Sequence, residues 1–154
     1  MLATLACFGV RAIYRALASP EKRIRWRMEE MVEGFNSRKA QPVLDGIAKE
    51  FVDRSSDVTR DDLHSTLVWM FLNEHDDKGE FLWSAVFDPK EMTIVVAQDK
   101  HSAAVECRVQ FLRRRGTANE LNWDARVTGT FSLDQNGWQW SVVNSANHEA
   151  RLRR

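Results

Sequence analysis

Four histidines, two cysteines and one tyrosine are the side chains of this 154-residue chain best suited to proton transfer, nucleophilic attack or metal ligation. Their spacing supports none of the three. His64 stands beside Asp61 and Asp62 in a polar helical turn, His75 in a charged break, His101 in a turn and His148 in the tail. No two histidines lie four apart, the spacing that puts both ligands of a zinc site on one helical face, so no metal site is expected. Cys107 falls on the apolar side of an alternating segment and reads as a small buried hydrophobe. Neither a glycine-rich phosphate loop nor a nucleophile elbow is present. Arg113-Arg114-Arg115 could meet phosphate together with Arg151, Arg153 and Arg154, but no aromatic residue interleaves either cluster. The triplet therefore reads as a solubilising hairpin tip. Asn144, in phase with Trp138, Trp140 and Val142, is expected to face inward, bonding a backbone group or touching a ligand.

Composition narrows the partners. Twenty-two basic and twenty-two acidic side chains cancel, so no overall field draws the chain to nucleic acid. Residues 1–27 hold six basic against one acidic, residues 28–110 nine against seventeen, and residues 111–154 seven against four. Solvated faces account for that pattern. Two cysteines do not call for an oxidising compartment.

The elements that must position any site segregate along the chain. Helical periodicity fills Ser19 to Glu74 and period-two alternation fills Glu80 to Asn144, the mark of an α+β domain with helices on one face of an antiparallel sheet. Residues 1–18 form an amphipathic helical pattern with Leu2, Leu5, Val10, Ile13 and Leu17 on one stripe and Arg11 and Arg15 opposite. The uncharged run is shorter than the about 20 apolar residues needed to span a bilayer. It also lacks the features of a signal peptide. The stripe is expected to dock on the domain or on a second subunit, with membrane-surface contact through residues 2–17 as the other placement. A cytoplasmic location is expected, peripheral at the membrane in the second case.

Ser19-Pro20-Glu21 is a sharp helix start followed by Ile24, Met28, Met31, Val32 and Phe35 at three-four spacing. A second helix is expected from Gln41, with Val43, Leu44, Ile47 and Phe51 inward. Thr59 opens a third, with Asp62 completing a variant capping box and Leu63, Leu67, Phe71 and Leu72 as its stripe. Strands are expected over 81–87, 92–97, 103–111, 121–133 and from Trp138, one face dry and the other wet. Five tryptophans, among them Trp69, Trp83 and Trp123, sit inside these patterns and are expected in the core. Residues 19–147 make the domain and 148–154 a basic tail.

Four loose motifs in this order resemble the nuclear transport factor 2-like superfamily, a cone-shaped cystatin-like α+β fold. They are Met31-x3-Phe35-Asn36, Val43-Leu44-x2-Ile47-x3-Phe51-Val52-Asp53, Thr59-Arg60-x2-Leu63 and Leu133-Asp134-x2-Gly137-Trp138-x-Trp140, covering Pro20 to Asn144. The chain is similar to bacterial members, mostly uncharacterised, that place one such domain behind an N-terminal hydrophobic segment. The resemblance implies three helices on a strongly curved antiparallel sheet, a pocket at the wide end of the cone, and a homodimer through the sheet. Fold alone does not choose between enzyme and binder.

An isomerase of the superfamily needs a carboxylate base, which the resemblance places at Asp53, a donor acid on the strand before the last hairpin, and a tyrosine from the first domain helix. The donor position is Gly129 here, and the only tyrosine, Tyr14, precedes the domain. The expected function is thus a non-catalytic binding or assembly module without cofactor, holding a small apolar ligand or a protein partner. Its pocket would be lined by Phe35, Phe51, Phe71, Trp83, Trp123, Trp140 and Asn144. The alternative is a cofactor-free isomerase, cyclase or dehydratase with Asp53 as general base.

Overall fold

Residues 17–147 are described by the computed structural model, and their first helix starts where local chemistry dictates. The Ser19 hydroxyl accepts the Lys22 N–H at 3.4 Å, Pro20 needs no partner at the first position, and helix α1 runs Pro20–Asn36. Ile24, Met28 and Phe35 are its buried stripe. Helix α2 is short, Ala40–Asp45, and α3 spans Arg60–Asn73. A reciprocal cap opens α3. Thr59 Oγ1 accepts the Asp62 N–H at 3.3 Å while the Asp62 carboxylate accepts the Thr59 N–H at 2.9 Å.

The strands are β1 (Ile47–Asp53), β2 (Val58–Thr59), β3 (Trp83–Phe87), β4 (Thr93–Val96), β5 (Ser102–Arg115), β6 (Ala118–Asp134) and β7 (Gly137–Asn147). They form one curved, open sheet in the order β2-β1-β7-β6-β5-β3, with β4 following β3 along the same edge of β5. A single 3₁₀ turn at Pro89–Glu91 separates β3 from β4, at the expected bend. Every pairing is antiparallel except β1 with β7, which is parallel.

That parallel pairing corrects the expected second helix. Helix α2 closes at Gly46, and Ile47 and Phe51, expected to continue it, lie in β1. Ile47 faces Trp140 but Val52 faces Val142, so β1 advances five residues while β7 advances two. The bulge leaves Ile47, Ala48 and Phe51 all buried, a spacing that copies the i, i+4 stripe of a helix.

A second bulge acts on β7. Thr130 pairs with Val142 but Phe131 pairs with Trp140, which leaves Ser141 as the extra residue. Trp138 and Trp140 remain inward; beyond Ser141 the phase inverts, Val143 is buried and Asn144 is exposed. The expectation that Asn144 faces inward is corrected accordingly.

The helices cover the inner face of the sheet. Ile24, Cys107, Phe131 and Trp138 are fully enclosed, and Phe131 lies 4.2 Å from Trp140 between ring centroids. Ile24 and Phe131 each stabilise the fold by about 1.5–3 kcal/mol through burial. Helix α3 is apolar on more than its inner stripe. Leu67 is buried, whereas Trp69 and Leu72, both expected in the core, are 56% and 72% exposed beside Val68.

Candidate functional site

Aromatic rings cluster where α1 and α3 meet the sheet. Phe35 of α1 is the hub, 5.9 Å from Phe71 of α3, 5.7 Å from Phe81 and 5.5 Å from Phe111 of β5. Phe111 in turn stacks on Trp123 of β6 at 5.3 Å and 17°, and Trp123 is 41% exposed. A continuous run of ring contacts therefore leads from the core to the surface, worth about 0.5–1.5 kcal/mol per pair beyond burial. Of the expected lining, Phe35, Phe71 and Trp123 belong to this run. Phe51 and Trp140 sit deeper, and Trp140 Nε1 donates to Met28 Sδ at 3.1 Å. Trp83 is tied elsewhere: its Nε1 donates to Glu74 at 2.9 Å, and the Arg113 guanidinium lies over its ring. Asn144 is outside the group.

Asp53, the base of the alternative function, ends β1 with 8% of its surface exposed. Its Oδ1 accepts the Ser55 N–H at 2.9 Å and the Ser55 hydroxyl at 2.6 Å; Oδ2 accepts the Ser145 hydroxyl at 2.5 Å. The Ser145 N–H donates to Oδ1 at 3.4 Å. Burial alone would push the carboxyl up, but the hydrogen bonds from Ser145 and Ser55 outweigh it and hold the pKa below the ordinary value of 3.8. A general base near neutrality needs the opposite shift. Asp53 joins the end of β1 to β7 and turns the chain toward β2.

The position matched to the isomerase's donor acid is closed by backbone. A Cβ on Gly129 would lie 2.1 Å from the Val142 carbonyl oxygen and 2.8 Å from the Val143 Cα, so no side chain fits there. Tyr14 lies outside the described residues, as do residues 2–16 of the N-terminal stripe and His148. Leu17, the stripe's last residue, is 81% exposed.

Other chemistry-bearing groups are engaged or remote. Among the described residues the buried polar side chains are Asp53, Asp124 and Gln139. Asp124 receives Arg108 through two bonds of 2.8 and 2.6 Å, and Gln139 Nε2 donates to the Asp45 carbonyl at 2.8 Å. The Cys107 thiol is pushed up to about 12 by burial and by Glu106, which leaves it protonated and inert. His64 and His101 are exposed, and His75 lies against Arg38 and Phe81. No group of three or more His, Cys, Asp or Glu side chains among the described residues could hold a metal ion. None of the described helices is long and apolar enough to cross a membrane.

The arginine triplet does lie at a hairpin tip, as the last residues of β5 before the Gly116-Thr117 turn, but its guanidinium groups are paired with acids. Arg113 pairs with Glu74 at 2.9 Å, Arg114 with Asp76 and Glu80 at 2.7 Å each, and Arg115 with Glu120 at 3.3 Å. Arg113 and Arg114 fasten the segment after α3 to the edge of the long hairpin, and Arg115 pairs across the hairpin with β6. Sequence reasoning also missed Asn36. Its side chain accepts the Ala85 N–H at 2.6 Å and donates to the Ala85 carbonyl at 2.9 Å, so it pairs with β3 as a neighbouring strand would. Its place at the last turn of α1 was the available signal.

No protein-family model matches the chain, and neither does any curated protein. Solved structures do match in shape. A nuclear transport factor 2-like protein with a cystatin-like fold from Novosphingobium aromaticivorans superposes with a TM-score of 0.64 at 13% identity, over 97% of this chain and 91% of that one. Aln2 from a Streptomyces species gives 0.67 at 11% identity, over 89% and 98%. A nuclear transport factor 2-like superfamily protein from Salmonella enterica serovar Typhimurium gives 0.60 at 11% identity, over 83% and 90%. Such identities carry the architecture and not the activity. The chain therefore has the cystatin-like fold of nuclear transport factor 2-like proteins.

Proposed function

We propose that the protein is a non-catalytic binding or assembly module. One observation carries this reading: each buried acid and amide among the described residues is committed to a structural partner, so no unengaged acid or base lies among the apolar groups of the cone, where the buried donor left without a partner is the indole Nε1 of Trp138. What the cone offers instead is aromatic surface, from Phe35 through Phe111 to the exposed Trp123. A small apolar ligand would bind against these rings by burial alone. For assembly, the chain presents Val68, Trp69 and Leu72 on the outer side of α3, the kind of apolar exposure that marks contact surfaces. A homodimer is the simplest such assembly. The competing enzymatic reading rests on Asp53, and a carboxylate kept ionised by two serines gives it no support.

Native mass spectrometry of the purified full chain, with the denatured mass beside it, tests the proposal. Retained non-covalent mass on the monomer identifies a bound ligand, and a doubled mass identifies self-assembly. A bare monomer that remains bare after incubation with hydrophobic small molecules would sink it.

A further inference from the structure

A cleft of about 350 Å³ lies away from the aromatic cone, where α1, the end of α2, β1 and the start of α3 converge. Three cations line it, each from a different element: Arg27 from α1, Lys49 from β1 and Arg60 from α3. The one acid in the lining is Asp45, whose carboxylate already accepts the Gln41 side-chain amide at 2.6 Å. Asp61 and Asp62 follow Arg60 in sequence but do not line the cleft, and Asp62 is folded back on Thr59. The lining therefore carries a surplus of positive charge in a protein whose net charge is zero.

Structural duty does not use up these cations. The carbonyls at the end of α2 need donors, and they have them: Gln139 serves Asp45, while Arg60 reaches Leu44 at 3.5 Å and Ile47 at 3.1 Å. Those bonds are to neutral oxygens, so the Arg60 charge is not neutralised, and they fix the guanidinium plane while leaving Nη1 without a partner among the described residues. Arg27 shares its charge with Glu30 at 3.3 Å and donates to the Asn136 carbonyl at the same distance. Lys49 has no ion pair or hydrogen bond among the described residues. It stands on the stretch of β1 where five residues run against two of β7, and bulges of this kind re-aim side chains.

We propose that this cleft is a binding site for a phosphoryl dianion, either free phosphate or the phosphate of a small ester. With Nε and one Nη2 hydrogen held by the carbonyls, the fixed Arg60 guanidinium still presents its Nη1 and second Nη2 hydrogens to two phosphate oxygens, and the exposed Lys49 ammonium supplies a point charge from β1. The volume falls within the range of small-molecule sites and exceeds what one phosphate fills, which leaves room for an organic body. The site is separate from the cone and does not depend on what the cone holds.

Thermal unfolding of the full chain, titrated with sodium phosphate, with phenyl phosphate and with sodium chloride at matched ionic strength, tests the proposal. Both phosphates should raise Tm saturably and chloride should not, since a ligand that binds only the folded state stabilises it by mass action. Tighter binding of the ester places an organic body in the cleft, and equal binding identifies phosphate alone as the ligand. Lys49→Ala should bind about tenfold more weakly and Lys49→Glu should abolish saturation, with the apo Tm unchanged because Lys49 is exposed. Lys90→Ala, an exposed position remote from the cleft, should bind as the unaltered protein does. Equal responses to phosphate and chloride, or full affinity in Lys49→Glu, would overturn the proposal.

Discussion

At the scale of single residues, Asp53 shows how a carboxylate at a family's catalytic position serves the fold instead. Two serines reach it, Ser55 two residues on and Ser145 on β7, with their hydroxyls 3.0 Å apart. Hydrogen bonds to a charged acceptor contribute about 1.5–3 kcal/mol each when their loss leaves a buried partner unsatisfied. Asp53→Ala should therefore lower stability by about 2 kcal/mol at pH 7. The pH dependence carries the sign. The folded pKa lies below the ordinary 3.8, so the stabilisation is present above the unfolded value and is lost as pH falls through the folded one. Denaturant melts between pH 7 and pH 2 should show the gap between Asp53→Ala and the unaltered protein closing below about pH 4. A gap that is absent at pH 7, or that widens in acid, would refute the clamp.

Elements add what residue types alone do not convey, and Gly129 is the sharpest case. It lies where β6 and β7 approach closely, one residue before the step in register that makes Ser141 the extra residue of β7. Gly129→Ala would set a methyl group against the Val142 carbonyl, and backbone on both strands would have to move. We expect a loss of about 3 kcal/mol, read from the urea midpoint, whereas Gly79→Ala, which meets open space and bears only the strain of a φ of +77°, should cost about 1 kcal/mol. Equal losses would show that the strands are not closely spaced there. The same register steps explain which parts of the structure are legible in the sequence. Ser19-Pro20, Thr59 with Asp62, and the alternation over β5 and β6 act through neighbours in sequence, and each appears where its residue types place it. Ile47 and Phe51 mislead because a bulge in a parallel pair gives strand residues the burial spacing of a helix. Asn144 misleads because one extra residue at Ser141 inverts the alternation. Trp69 and Leu72 are apolar on an exposed face, and nothing local distinguishes them from core. In each case the deciding partner lies on another element, beyond the reach of periodicity.

For the molecule as a whole, the order of assembly follows from how far apart its contacts lie in sequence. The β5–β6 and β6–β7 hairpins close through turns of two residues at Gly116-Thr117 and Gln135-Asn136, so their ladders form at small entropic cost. By contrast, β1 must find β7 in parallel, and the Asp53–Ser145 contact that secures it spans 92 residues. Closing a loop of that length is rewarded only after the hairpins exist, since β1 has no other long strand to pair with among the described residues. The docking of β1 is therefore expected to follow the rate-limiting step, and the loss in Asp53→Ala should appear almost wholly in the unfolding rate. For about 2 kcal/mol that is a rise of about 30-fold, with the folding rate changed by less than about twofold. Stopped-flow chevrons in urea separate the two arms. A slowed folding arm with an unchanged unfolding arm would place the parallel pair in the nucleus. The hairpins would then be too weak to organise the sheet alone, and the closing strand would be the element on which the cone depends from the start.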